Sequence, residues 1–202
     1  GALGGAAADV LANPDASRLA LIGAGTQAWT QLWAIAAVRD LTEVRVFARD
    51  QGHRAAFARR ARAELGVACL PATSARDAVD GADLVVCATT SPTPVIAGEW
   101  LIPGAYVATL GPKQMGRHEI DDGLLESADV VVTDSRAQAV GYDPPSTVVG
   151  TRVEDHLVEL GAVLDGAATG RGSRDQVCLF YSVGLAGTED IQIDWITVDN
   201  PA

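Results

Sequence analysis

The feature that most constrains the fold is the stretch Arg18-Leu19-Ala20-Leu21-Ile22-Gly23-Ala24-Gly25-Thr26-Gln27-Ala28. An apolar run breaks into a glycine turn and then into a helical pattern, which reads as strand, phosphate loop and helix. Gly23 permits the sharp turn off the strand, and Gly25, lacking a Cβ, lets a pyrophosphate approach the backbone. Ala28 stands where a small residue lets helix and strand pack closely, and the free N–H groups at the helix start, Thr26 and Gln27 included, face the phosphates. The alternative is a purely structural strand-to-helix turn, because any tight turn of this kind can carry glycines.

The remainder of the chain repeats the alternation. Strand candidates lie at 43–48, 67–70, 83–88, 105–110, 129–133 and 176–182, with helical patterns at 1–12, 27–39, 51–64, 74–80, from Glu119, and 152–164. Gly66 and Gly81 read as helix stops, Ser74 with Asp77 as a side-chain cap, and 111–118, 141–150 and 166–172 as loops. The run Asp83-Leu84-Val85-Val86-Cys87-Ala88 is apolar throughout, as in a strand covered on both sides. This pattern predicts an α/β fold, a doubly wound Rossmann-type parallel sheet with helices on both faces. In such a sheet ligands bind at the carboxyl ends of the strands, which gathers the loops at 23–28, 48–50, 89–92, 111–114 and 182–184 along one edge.

Composition narrows the partners. With 202 residues, 48% of them hydrophobic, the chain can bury one substantial core, and no apolar run is long enough to span a bilayer. A net charge of −11 argues against a nucleic-acid partner, and nothing points to a membrane. Cys69, Cys87 and Cys178 fall far apart within strand-like runs, suiting buried thiols in a reducing, cytoplasmic compartment and neither a disulfide nor a metal site. His53 and His156 lack ligand spacing, and His118, beside Glu119 at a predicted helix start, reads as a helix-end residue or else as a proton donor from its loop. Asp121-Asp122 and Glu154-Asp155 sit in the first turns of predicted helices, where negative charge complements the dipole.

Several motifs then coincide in order: Ala20 to Ala28, Val44 to Arg49, Ala88-Thr89-Thr90-Ser91, Gly98-Glu99-Trp100-Leu101 with Pro103-Gly104-Ala105, Arg117 to Asp121, Glu159-Leu160-Gly161, and Phe180 to Ala186. Together they make the chain resemble the ornithine cyclodeaminase and mu-crystallin family. The resemblance implies an NAD(P)-dependent oxidoreductase of amino acids, imino acids or imines, with a non-enzymatic NADPH-dependent small-molecule binder as the alternative. By position it implies that Gly23, Gly25, Thr26, Gln27 and Ala28 hold the pyrophosphate and that residues 48 and 49 meet the adenosine ribose. It further implies that Thr89, Thr90 and Ser91 line the crevice and that Ser182, Val183 and Gly184 sit near the nicotinamide.

Three departures qualify the resemblance. A family member carries a segment before Gly1 that forms much of the substrate domain and the homodimer contact. The expectation is therefore a helix at 1–13 linking to that domain, a dinucleotide-binding domain at 14–190 and a tail at 191–202, inactive on substrate by itself. Cyclodeaminases place an acid–base aspartate where this chain has Lys113, which is the candidate catalytic residue, holding a substrate carboxylate or polarising an imine, or else a surface lysine of a flexible loop. Lastly, the second strand ends at Ala48 rather than at the carboxylate that receives the ribose of NAD, and Arg49 follows, with Arg54 one turn on; this favours NADP, with NAD possible.

Overall fold

In the computed structural model, which describes residues 1–184, the chain alternates through helices and strands around one parallel sheet. Helix α1 (Ala2–Leu11) precedes β1 (Arg18–Ile22), α2 (Thr26–Ala36), β2 (Glu43–Phe47), α3 (Gln51–Leu65), β3 (Cys69–Pro71), α4 (Ala75–Val79) and β4 (Leu84–Cys87). Then come β5 (Tyr106–Thr109), a hairpin of β6 (Lys113–Gln114) and β7 (Arg117–His118), and α5 (Asp122–Ser127). The chain continues with β8 (Val130–Thr133), α6 (Arg136–Val140), α7 (Arg152–His156), β9 (Val158–Glu159), α8 (Leu160–Leu164) and β10 (Cys178–Tyr181).

The strand order is β3-β2-β1-β4-β5-β10-β8-β9, with every pairing parallel. The order reverses between β1 and β4, which opens a crevice beyond their carboxyl ends. Side chains alternate across the pleat. Leu19, Leu21, Val44, Val46, Leu84, Val86 and Phe180 face α1, α2 and α3 on one side; Ala20, Ile22, Val85, Cys87, Leu179 and Tyr181 face α4 to α7 on the other. Both faces are therefore covered, as the unbroken apolar strands require. All three cysteines are buried and free.

Local chemistry sets the element ends. Asp50, Ser74, Asp121, Ser135 and Thr151 each cap a following helix by accepting a backbone N–H, and Gly66 closes α3 in the left-handed conformation at φ 67°. Helix α1 lies flat on α2 because Gly5 leaves no room to spare: a Cβ there would stand 3.0 Å from the Ala34 carbonyl oxygen.

Four sequence expectations change. The third strand starts later, at Cys69, and includes Pro71, which the edge position tolerates because no neighbour needs its missing N–H. Residues 113–118 are a hairpin rather than open loop, and Glu119 precedes the helix instead of starting it. The helical pattern over 152–164 is cut into α7 and α8 because Leu157 turns extended and Val158–Glu159 pair with β8, edge pairing overriding periodicity. Helix α6, capped by Ser135, is additional.

Arg171 ties the opposite end of the sheet together. Its guanidinium donates to the carbonyls of Leu11, Gly104 and Gln176 at 2.7, 2.9 and 2.6 Å, and more weakly to Ser173, Arg174 and Ala105. These acceptors belong to the end of α1, the approach to β5 and the approach to β10. Arg171→Met is expected to lower unfolding free energy by about 2–4 kcal/mol, because buried carbonyls lose charge-assisted donors; urea unfolding measures it.

Candidate functional site

The crevice between β1 and β4 is a cleft of about 1030 Å³, lined by Gly23 to Thr26, Trp29, Phe47 to Asp50, His53, Phe57, Arg60, Thr89 to Ser91 and Val95. Its floor is the turn after β1. Gly23 donates its N–H to Phe47 O at 2.8 Å and holds φ 117°, and a Cβ there would lie 2.3 Å from Ala88 O. Gly23 is thus required by backbone geometry and by the close approach of the chain after β4. Gly25 differs. Its φ is −91°, any residue could adopt it, and an added Cβ would meet no protein atom within 4 Å. The space in front of Gly25 is open cleft, at the start of α2, whose first turn has no side-chain cap.

Ala28 is fully buried behind that turn, whereas Gln27 is exposed and outside the cleft lining. At the end of β2, Arg49 is exposed on the cleft wall, and Asp50 is committed to capping α3 through His53 N at 2.7 Å. Arg54 turns away: it donates to Ala48 O at 2.9 Å and lies over the Phe47 ring. The cleft instead gains His53 and Arg60, the latter stacked 3.7 Å from the Trp29 ring centroid. Nothing local in the sequence marks Arg60, and only the position of α3 against α2 distinguishes it.

Next to the cleft, the ends of the central strands are bound by two carboxylates that sequence reasoning missed. Glu119, fully buried, accepts Thr89 N and Thr89 Oγ1 at 3.0 and 2.9 Å on one oxygen. Its other oxygen accepts Thr109 Oγ1 and Leu110 N, both at 2.8 Å, and Gly111 N. Thr89 Oγ1 in turn accepts Ser91 N at 3.1 Å, so the carboxylate shapes the Thr89–Ser91 loop. Asp134, after β8, accepts Ser182 Oγ, Val183 N and Gly184 N at 2.8, 2.7 and 3.0 Å. A Glu beside a His at an apparent helix start gave no sign of this burial; the signal available was the spacing from Thr109 to Glu119, short enough for a loop to fold back.

Lys113 is not a surface lysine. It is 4% exposed, its ammonium donating to Gly111 O at 2.7 Å and lying 5.5 Å from the Tyr181 ring centroid. Burial lowers its pKa to about 8, against the opposing pull of Glu119 and Asp134. The hairpin holds it there: Lys113 O accepts Thr147 N at 2.8 Å and the Tyr181 hydroxyl at 3.2 Å. His118 likewise is not at a helix start; its Nδ1 lies 2.6 Å from Ile120 O. Asp121 and Asp122 sit at the cap and first turn of α5, and Glu154 and Asp155 in the first turn of α7. Among the described residues no cluster of metal-ligating side chains occurs, and no helix is long and apolar enough to cross a membrane. Of the residues expected near the nicotinamide, Ser182 to Gly184 lie at the end of β10, outside the cleft lining; residues 191–202 lie outside the described part.

The two glycines are expected to separate experimentally. Gly25→Val retains a cooperative melt and loses dinucleotide binding, whereas Gly23→Val loses the fold, by about 3 kcal/mol or more; thermal melts with a cofactor fluorescence titration check both.

The comparisons with known proteins agree with this geometry. The model of the ornithine cyclodeaminase/mu-crystallin family matches residues 1–201. The chain is 31% identical over 205 residues to an alanine dehydrogenase of Archaeoglobus fulgidus, covering 99% of this chain and 62% of that protein. It is 30% identical over 185 residues to the ketimine reductase mu-crystallin of Mus musculus, covering 92% and 56%. Among solved structures, the Thermococcus litoralis Δ1-pyrroline-2-carboxylate reductase in complex with NADH and L-proline superposes with a TM-score of 0.82 at 30% identity, over 91% of this chain and 58% of that one. The chain therefore spans about three-fifths of the length of these relatives. It belongs to the ornithine cyclodeaminase/mu-crystallin family.

Proposed function

We propose that this chain is the dinucleotide-binding part of an NADP-dependent oxidoreductase acting on amino acids, imino acids or imines. The observation that carries the reading is the empty approach to Gly25, where a Cβ would meet nothing, at the uncapped start of an 11-residue helix in the crevice between β1 and β4. That arrangement fits a pyrophosphate, with backbone N–H groups of the first turn of α2 as its donors. Support comes from the relatives, which include dehydrogenases and imine reductases, one with NADH bound.

In this reading the Gly23–Ala28 turn receives the pyrophosphate, Arg49 the adenosine end and Thr89 to Ser91 the middle of the crevice. Ser182, Val183 and Gly184 border the nicotinamide end. When bound, the nicotinamide supplies the hydride acceptor or donor. The protein's part is orientation and exclusion of water: Glu119 fixes the crevice loop through Thr89, and Asp134 fixes the backbone from Val183 to Gly184. A second reading, an NADPH-dependent small-molecule binder without turnover, is favoured by the burial of Lys113, whose ammonium is already engaged by Gly111 O rather than turned to a substrate. An assay of nicotinamide absorbance with cyclic imino acids and α-amino acids separates the two. Turnover supports the oxidoreductase, and binding without turnover by the full-length protein supports the binder.

The cofactor preference follows from the end of β2. No carboxylate faces the ribose from Ala48, Asp50 is occupied as a cap, and Arg49, His53 and Arg60 line the wall. An exposed arginine–phosphate contact retains about 1–2 kcal/mol after screening, roughly a five- to thirty-fold preference for NADPH over NADH. Arg49→Ala should weaken NADPH several-fold and leave NADH nearly untouched, and added salt should weaken NADPH more. Fluorescence titration with both cofactors tests this; equal losses for both would remove Arg49 from the 2′-phosphate.

A further inference from the structure

Four neighbouring strand ends, those of β4, β5, β10 and β8, are closed by the two carboxylates in adjacent pairs. Glu119 joins the end of β4 at Thr89 to the end of β5 at Thr109 to Gly111, and Asp134 joins the end of β8 to the end of β10 at Ser182 to Gly184. Neither carboxylate has an arginine or lysine within ion-pair distance among the described residues. Where the ends of β5 and β10 adjoin, one ammonium, Lys113, donates to Gly111 O and lies 5.5 Å from the Tyr181 ring centroid, held by a hairpin that β10 itself anchors through the Tyr181 hydroxyl.

We propose that Lys113 is a positioning residue: the shared buried counter-charge of Glu119 and Asp134, through which the Thr89–Ser91 loop and the Ser182–Gly184 segment are held in one register along the cofactor edge. An ammonium taken out of water is costly unless nearby negative charge and hydrogen-bond acceptors offset the lost hydration. Here its bond to Gly111 O fixes the backbone whose N–H Glu119 holds, and it lies 5.5 Å from the ring centroid of Tyr181, the residue just before the Ser182–Gly184 segment that Asp134 binds. The remaining titratable groups that face it, the Cys87 thiol from β4 and the Tyr181 phenol from β10, are both pushed upward by burial and stay neutral near pH 7. His118, opposite Lys113 in the hairpin, turns its Nδ1 to Ile120 O. The inference rests on the proposed dinucleotide site for what the two loops serve, and on the strand-end geometry for the coupling itself.

The test is amide hydrogen exchange on the full-length protein without cofactor, comparing wild type, Lys113→Met and Lys113→Arg. Lys113→Met keeps the apolar stem and removes the charge. The expected result is exchange about ten-fold faster at both groups of amides, Leu110 and Gly111 on the Glu119 side and Val183 and Gly184 on the Asp134 side. Amides of β1 and β2 should be unchanged, the melting temperature unlowered at pH 7, and Lys113→Arg should restore part of the protection. In wild type, protection at both groups should fall as pH rises through about 8, where the ammonium discharges, after correction for intrinsic rates; this also decides the matter if the methionine variant does not fold. Unchanged protection at Val183 and Gly184 would overturn the proposal, as would a lowered melting temperature with exchange accelerated throughout the sheet. With cofactor added, Lys113→Met should weaken NADPH and NADH alike. If wild type binds neither, the dinucleotide reading fails while the exchange data still decide the coupling.

Discussion

A carboxylate taken out of water must recover its hydration from the protein, and Glu119 does so with three backbone N–H groups and two threonine hydroxyls. Those five donors come from two separate strand ends, so satisfying the charge and joining the ends of β4 and β5 are one requirement. Losing either set would leave a buried charge short of partners, a penalty larger than any one bond in the set. The β4 side of the crevice owes its shape to this arrangement: Thr89 is held, Ser91 N is held by Thr89, and Gly111 has to be glycine because a Cβ would press on Thr89 O and Glu119.

Chemistry is divided between the two ends of the sheet. At the amino ends of the strands, Asp83 accepts Ser17 N and Arg18 N, Asp129 accepts Val177 N, and Arg171 gathers carbonyls; these bonds close loops. At the carboxyl ends the same kinds of bond leave clefts beside them. Both ends use a positive-φ glycine for a close backbone approach: Gly104, before β5, stands against Arg174 O, and Gly23, after β1, stands against Ala88 O, where it makes room for an open position two residues later.

Sequence disclosed the sheet readily because buried parallel strands leave continuous apolar runs and their helices can leave caps that side chains announce, as Ser74 does. The glycine turn was legible for the same reason, since its chemistry is local in the chain. What stayed hidden depends on partners far away in sequence. Glu119 lies 30 residues from Thr89, and Asp134 lies 48 to 50 residues from Ser182 to Gly184. No periodicity marks either one. Lys113 read as a loop lysine because a hairpin of two-residue strands leaves no pattern, and α7 to α8 read as a single helix because the pairing of β9 is decided by β8. Arg54 is expected beside the ribose and Arg60 lines the cleft instead, for a related reason: one helix face looks like another until the neighbouring helix is known.

The insertion of β10 between β5 and β8 has a consequence for synthesis. Strands β3, β2, β1, β4 and β5 can assemble in the order in which the ribosome delivers their edges, but β8 and β9 have no place to join them until residues 178–181 emerge. During translation of the intervening segment, the nascent chain carries the open edge of β5 and an unattached β8, whose partner on that side does not yet exist. The last strand described thus acts as a keystone, and completion of the sheet waits for the end of this stretch rather than growing with it.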